Sequence, residues 1–136
     1  MSLEDQTTDC KSLKTLTSNN PDWDELAKDC VCFANGQGGR LLIGIEDGQE
    51  LPPDGQRVYP ELLDKLRKRI GELTVNVQVL PSIVMAENGA QYIELRIDRS
   101  QNVASTCDGR YFIRVADTVS VHAIRRGFQA YRYLEE

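Results

Sequence analysis

The sequence predicts a single domain of the α/β (α+β) class: a mixed sheet of about five to six strands carrying two to three helices. Three observations predict it. Trp23, Leu26, Ala27, Cys30, Phe33 and Ala34 recur at the three-and-four spacing of one buried helical stripe. RLLIGIE, residues 40–46, is a short apolar run bounded by glycines, the pattern of a central strand buried on both faces. From Gln91 to Ile97 apolar and polar residues alternate, directly after the hairpin signal Glu87-Asn88-Gly89.

In chain order, Asp9 to Leu16 is predicted as a short first strand. Asn20-Pro21-Asp22 followed by Glu25 starts the first helix, with a capping side chain, a proline at the first turn and acids near the positive end of the dipole; Asn35-Gly36 ends it. The central strand at 40–46 runs into Asp47-Gly48 and a Gly- and Pro-rich loop to residue 60. Glu61 to Ile70 places Leu62, Leu63, Leu66 and Ile70 on one helical face, with Gly71 as its stop. Val75 to Met85 is the next strand, in which Pro81 predicts a break or an edge, and Gln91 to Ile97 its hairpin partner. The connection DRSQNVASTCD leads to an alternating strand from Arg110 to Val115. From Val121 onward Ile124, Phe128, Tyr131 and Leu134 predict a final helix, weakened by Gly127.

With 136 residues, 40% of them apolar and 27% charged, the chain suits one compact core, so 1–136 is expected to be one domain. No apolar run approaches the roughly eighteen residues of a membrane span, and MSLEDQTT lacks the features of a signal peptide, so a cytoplasmic protein without membrane contact is expected. Four cysteines and one histidine, without a Cys-x-x-Cys pair, predict reduced and mostly buried thiols and no zinc or other cofactor. A net charge of −5 argues against a broadly basic surface, so any phosphate-binding patch has to be local.

The glycines of FANGQGGRLLIGIED, residues 33–47, follow a helix and precede a strand. A phosphate cradle runs in the opposite order, strand, glycines, helix. Gly36, Gly38, Gly39 and Gly44 are therefore read as structural glycines of a tight corner, which aims Glu46-Asp47 at a loop.

This stretch resembles the Phe-Ala-Asn-Thr-x-Gly-Gly-x-Leu-x-Ile-Gly-Val-Asp-Asp signature of the Schlafen AlbA-like domain, also labelled divergent AAA. Glu4 to Lys11 is similar to that family's Glu-x4-Glu-Phe-Lys opening, and Gly109 to Val115 to its Gly-x-Tyr-Tyr-x-Arg-x-Gly strand. The resemblance implies a nucleic-acid-binding domain, with DNA the first choice, forming the N-terminal part of a longer bacterial transcriptional regulator. In some members the same domain is a metal-dependent endoribonuclease, whose three acids fall at Glu4, Asp9 and Asp47 and would hold Mg²⁺ or Mn²⁺. The sequence departs from the pattern at Asp9, one methylene shorter, at Cys10 in place of an aromatic, and at Ala116 in place of a glycine.

Lys11, Lys14, Arg110 and Arg114 are the candidate phosphate contacts. On a regular strand Asp9 and Lys11 share a face and Lys14 points the other way, so both lysines meet one ligand only if the strand ends between them. Arg110 and Arg114 share a face with Phe112 between them. The KLRKR run at 65–69 is read as a solvated helix face, His122 as structural and Trp23 as a core or interface residue. A third reading, an oligomerisation module without nucleic-acid contact, places a homodimer surface on the tail around Phe128, Tyr131 and Tyr133.

Overall fold

The computed structural model describes residues 7–114 and 121–124, with side chains up to Phe112. Strand β1 (Thr8–Lys11) is followed by one helical turn, α1 (Lys14–Thr17), then helix α2 (Trp23–Asn35), strand β2 (Gly39–Ile43) and helix α3 (Glu61–Leu73). Six further strands follow: β3 (Thr74–Val75), β4 (Val79–Met85), β5 (Gln91–Ile97), β6 (Ser105–Thr106), β7 (Tyr111–Arg114) and β8 (Val121–Ile124). A four-stranded mixed sheet has the order β1-β2-β5-β4, with β1 parallel to β2 and the other pairs antiparallel; β3-β6 and β7-β8 form two-stranded ribbons.

The α+β class holds, and the strands divide between one sheet and two ribbons. Asp22 caps α2, its Oδ1 accepting from the Glu25 amide at 3.2 Å, where Asn20-Pro21-Asp22 predicted the start. The stripe Leu26, Ala27, Cys30, Phe33 and Ala34 packs on Leu41, Ile43, Ile93, Leu95 and Ile97 of the sheet and on Leu66 and Ile70 of α3. Val31 and Cys32, off that stripe, are buried as well, because β6 and β7 pack against α2 from another side. Cys10, Cys30 and Cys32 are buried thiols outside any disulfide, and burial holds the Cys30 thiol protonated by raising its pKa. On the other sheet face Cys10, Leu42 and Ile45 form a second cluster with Tyr92.

Four sequence expectations are corrected. The first strand stops at Lys11; residues 14–17 form a helical turn, in which the Thr17 hydroxyl donates to the Leu13 carbonyl at 3.2 Å. Gly71 does not stop α3, which continues to Leu73 and ends where the Thr74 hydroxyl donates to the Ile70 carbonyl at 2.6 Å. Packing of Leu73 on the core outweighs the cost of about 1 kcal/mol for an exposed helical glycine. The strand expected over 75–85 is two strands, parted where Asn76 takes a left-handed φ of +63°; Pro81 sits in β4, an edge strand of the sheet. Val121 to Ile124 is not the start of a helix: it is β8, pairing antiparallel with β7, so that His122 lies opposite Ile113 in a strand. Pairing with β7 satisfies the backbone there and overrides the three-and-four spacing. Phe128, Tyr131, Tyr133 and Leu134 lie outside the described residues.

Candidate nucleic-acid interface

The glycine corner is built by close approach. Gly36 donates to the Cys32 and Phe33 carbonyls, and Gly38 to the Phe33 carbonyl at 2.8 Å, so the helix closes on its own last turn. Gly38 has a φ of +79°, and a Cβ there would stand 2.9 Å from the Ile97 carbonyl oxygen. A Cβ on Gly39 would stand 2.5 Å from the Thr7 carbonyl oxygen and from the Phe33 ring. Residues 7, 33 and 97–99 thus meet where only hydrogen fits.

From that corner β2 runs beside β1 in register, Thr8 to Arg40 and Lys11 to Ile43. Beyond the strands the Gly44 amide donates to the Lys11 carbonyl at 2.7 Å, and the Ser12 hydroxyl donates to a Glu46 carboxylate oxygen at 3.2 Å. The N-terminal segment therefore lies beside the exit of β2. Glu46 and Asp47 follow the strand as exposed residues of a turn.

Asp9 and Lys11 share a face of β1, as alternation predicts, and that face meets α2. The Lys11 ammonium lies 2.8 Å from Asp29 Oδ2 and 3.9 Å from Asp9 Oδ2, while Asp9 Oδ1 accepts from the Cys10 amide at 2.9 Å. At Asp29 the approach is that of an ion pair, outside hydrogen-bond angles, so Oδ2 has a counter-charge without an aligned donor. Burial works against the Lys11 ammonium, but Asp29, with Asp9 and Glu25, outweighs it and raises the pKa. For Asp29 the balance goes the other way: burial pushes its carboxyl up to about 6 against the pull of Lys11, and Asp9 and Glu25 add to the rise. The asymmetry has a plain cause. One cation serves two acids, and the Asp29 side chain is 6% exposed against 22% for Lys11.

This pair sets a pH dependence. The folded pKa of Asp29 lies above its unfolded value of 3.8, so its contribution to stability is complete below about pH 4 and is lost as the pH rises through about 6. The span is on the order of 2 to 3 kcal/mol. Lys11, also raised, loses its contribution only above pH 10.5, outside this window. Urea unfolding at pH 4.5 and 7.5 should show a stability difference that shrinks in Asp29→Asn; an unchanged difference would assign it to other groups.

The remaining sequence candidates are dispersed. Lys11 is engaged inside the fold by two acids, whereas Lys14 is exposed on α1. Arg110, half-exposed, donates from Nε to Asp108 Oδ1 at 3.1 Å and stands 5.6 Å from the Phe112 ring centroid; Lys28 of α2 stands at the same distance. Hydrogen bonds from the Thr106 hydroxyl and from Arg110 lower the Asp108 pKa. Arg114 lies on β7 opposite Val121, with its side chain beyond the described atoms, and Glu4 lies outside the described residues. Of the other two acids expected as metal ligands, Asp9 accepts from the Cys10 amide and lies 3.9 Å from Lys11, and Asp47 is exposed; among the described residues no group of three or more His, Cys, Asp or Glu converges.

Sequence reasoning missed the other end of the sheet. A cavity of about 490 Å³ opens at the glycine corner, where Arg40, Arg96 and Arg99 line it with Thr8, Glu94 and Asp98. Arg40 and Arg96 are register partners on β2 and β5. Arg40 donates from Nε to the Thr8 hydroxyl at 3.2 Å and pairs with Glu94 at 3.3 Å; Arg96 stands 3.8 Å from Asp98; Arg99 is exposed and pairs with no described residue. The only available signal was that Arg40 and Arg96 are the cationic members of the two core strands. Their meeting needed the register.

Comparison with known proteins bears on the fold. The family model described as Schlafen, AlbA_2 matches residues 4–122. No curated protein matches the chain. Among solved structures, the crystal structure of the DIP2311 protein from Corynebacterium diphtheriae is similar, with a TM-score of 0.59 and 22% identity over 88% of this chain. At that identity the likeness is one of fold, and the match spans 25% of that protein's length.

Proposed function

Because the chain belongs to the Schlafen AlbA_2 family, we propose that it is a nucleic-acid-binding domain, of DNA by first choice, acting within a transcriptional regulator. The observation that carries this reading is the arginine-lined cavity at the glycine corner. Arg40, Arg96 and Arg99 against Glu94 and Asp98 leave a local excess of positive charge in a chain whose net charge is −5. Arg40 and Arg96 project from adjacent strands of one sheet, a rigid support for guanidinium forks that match phosphate oxygens. Lys14 and Arg110 are further exposed cations and keep their place as candidate phosphate contacts.

With so few cations, binding is expected near typical non-specific strength, a Kd of about 10⁻⁴ to 10⁻⁶ M, and falls as salt is added. Fluorescence anisotropy with labelled duplex DNA, structured RNA and single strands at low salt tests it. Arg96→Ala combined with Arg99→Ala should weaken whatever binding is found. Absence of binding to all three up to about millimolar protein would reject the reading.

A further inference from the structure

Cross-strand register and side-chain alternation define the sheet face turned away from α2 and α3. Thr8, Arg40, Arg96 and Leu80 form one row across all four strands, and Cys10, Leu42, Glu94 and Ser82 the next. Tyr92 follows Glu94 on the same face of β5, with Val84 as its partner on β4 and Gly44 against it, where a Cβ would come 3.0 Å from the Tyr92 Cβ. No described helix covers this face; Arg40 and Arg96 have side chains 51% and 68% accessible, Tyr92 is partly exposed, and Thr8, Cys10 and Leu42 are buried between them. Tyr92 and Arg40 sense one another: burial and Glu94 raise the phenol pKa while Arg40 pulls it down.

We propose that this face is a single-strand platform: Arg40, Arg96 and Arg99 hold the phosphates at the glycine corner, and the Tyr92 ring stacks on an unpaired base. The inference rests on the nucleic-acid reading above and adds the class of nucleic acid. Arg96 and Tyr92 are four residues apart on β5, about 13 Å along the strand, a distance that a short single strand spans from backbone to splayed base. A duplex keeps its base faces stacked and gives a lone aromatic on a sheet nothing to stack on, whereas a single strand presents one π-face per nucleotide. Glu94, between the arginine row and the ring and 3.3 Å from Arg40, is the local repulsive element; a phosphate on Arg40 has to displace it.

Anisotropy with a fluorescein-labelled oligothymidine and with a blunt duplex of equal length separates the outcomes. Single strands should bind more tightly than the duplex. Tyr92→Leu, which keeps apolar contact with Cys10, Leu42 and Ile45, should weaken single-strand binding at least about fivefold, while Tyr92→Phe retains it. Arg96→Ala with Arg99→Ala should reduce the salt slope by about 1.4, two phosphates' worth for a single strand. Glu94→Gln should tighten binding, an effect that general damage to the fold would not produce. Far-UV circular dichroism and urea midpoints confirm that each variant is folded. Equal duplex binding, or unchanged affinity in Tyr92→Leu while the arginine variant binds poorly, overturns the platform and leaves the proposed function standing. Wild-type protein that binds no nucleic acid overturns both.

Discussion

Lys11→Met should destabilise the domain by about 3 to 5 kcal/mol at pH 7.5, because it strips two buried carboxylates of the only cation that pairs with them among the described residues. Asp29 Oδ2 has no aligned hydrogen-bond donor, and Asp9 Oδ1 is committed to the Cys10 amide. Without Lys11, whose charge pulls the Asp29 pKa down, Asp29 can stay buried only by taking up a proton, so the loss should be larger at pH 7.5 than at pH 5. Lys11→Met combined with Asp29→Leu removes the orphaned charge along with its partner and should recover much of the stability. Urea denaturation of the three proteins at pH 5 and 7.5 measures both effects. A pH-independent loss, or no recovery in the double variant, would mean that the aliphatic stem of Lys11 matters more than its charge.

Asn35→Ala should cost about 3 kcal/mol. The Asn35 amide donates to the carbonyls of Ala104 and Phe112, both at 2.9 Å, and its oxygen accepts from the Ala104 amide at 2.7 Å. Each backbone group left unpaired costs roughly 1 to 3 kcal/mol, and Ala104 is fully buried. This one side chain joins the end of α2 to β7 and to the loop before β6, so its removal should loosen that side of the molecule first. Amide exchange at Ala104 and in β7 should accelerate more than exchange in β2. Uniform acceleration, or a loss below about 1 kcal/mol, would show that water replaces the amide.

The Asn35 result bears on what the signature segment encodes. FANGQGG reads as a corner in the sequence because its glycines follow a helix, and the structure supplies the reason: Gly38 and Gly39 lie where Thr7, Phe33 and Ile97 leave no room for a Cβ. Asn35 reads from the sequence only as a helix end. Its three hydrogen bonds reach residues 69 and 77 positions away, and no local pattern announces them.

Sequence alone determined the elements whose stability is local. The α2 stripe, the β5 alternation, the cap at Asp22 and the corner glycines each follow from periodicity or backbone sterics within a few residues. The shared face of Asp9 and Lys11 was legible in the same way. Tertiary structure decided everything that depends on register: the pairing of Lys11 with Asp29, the meeting of Arg40 with Arg96, the division of strands between a sheet and two ribbons, and the strand at 121–124. These rest on backbone pairing and on charges from distant segments, where a shift of one residue turns every side chain to the opposite face.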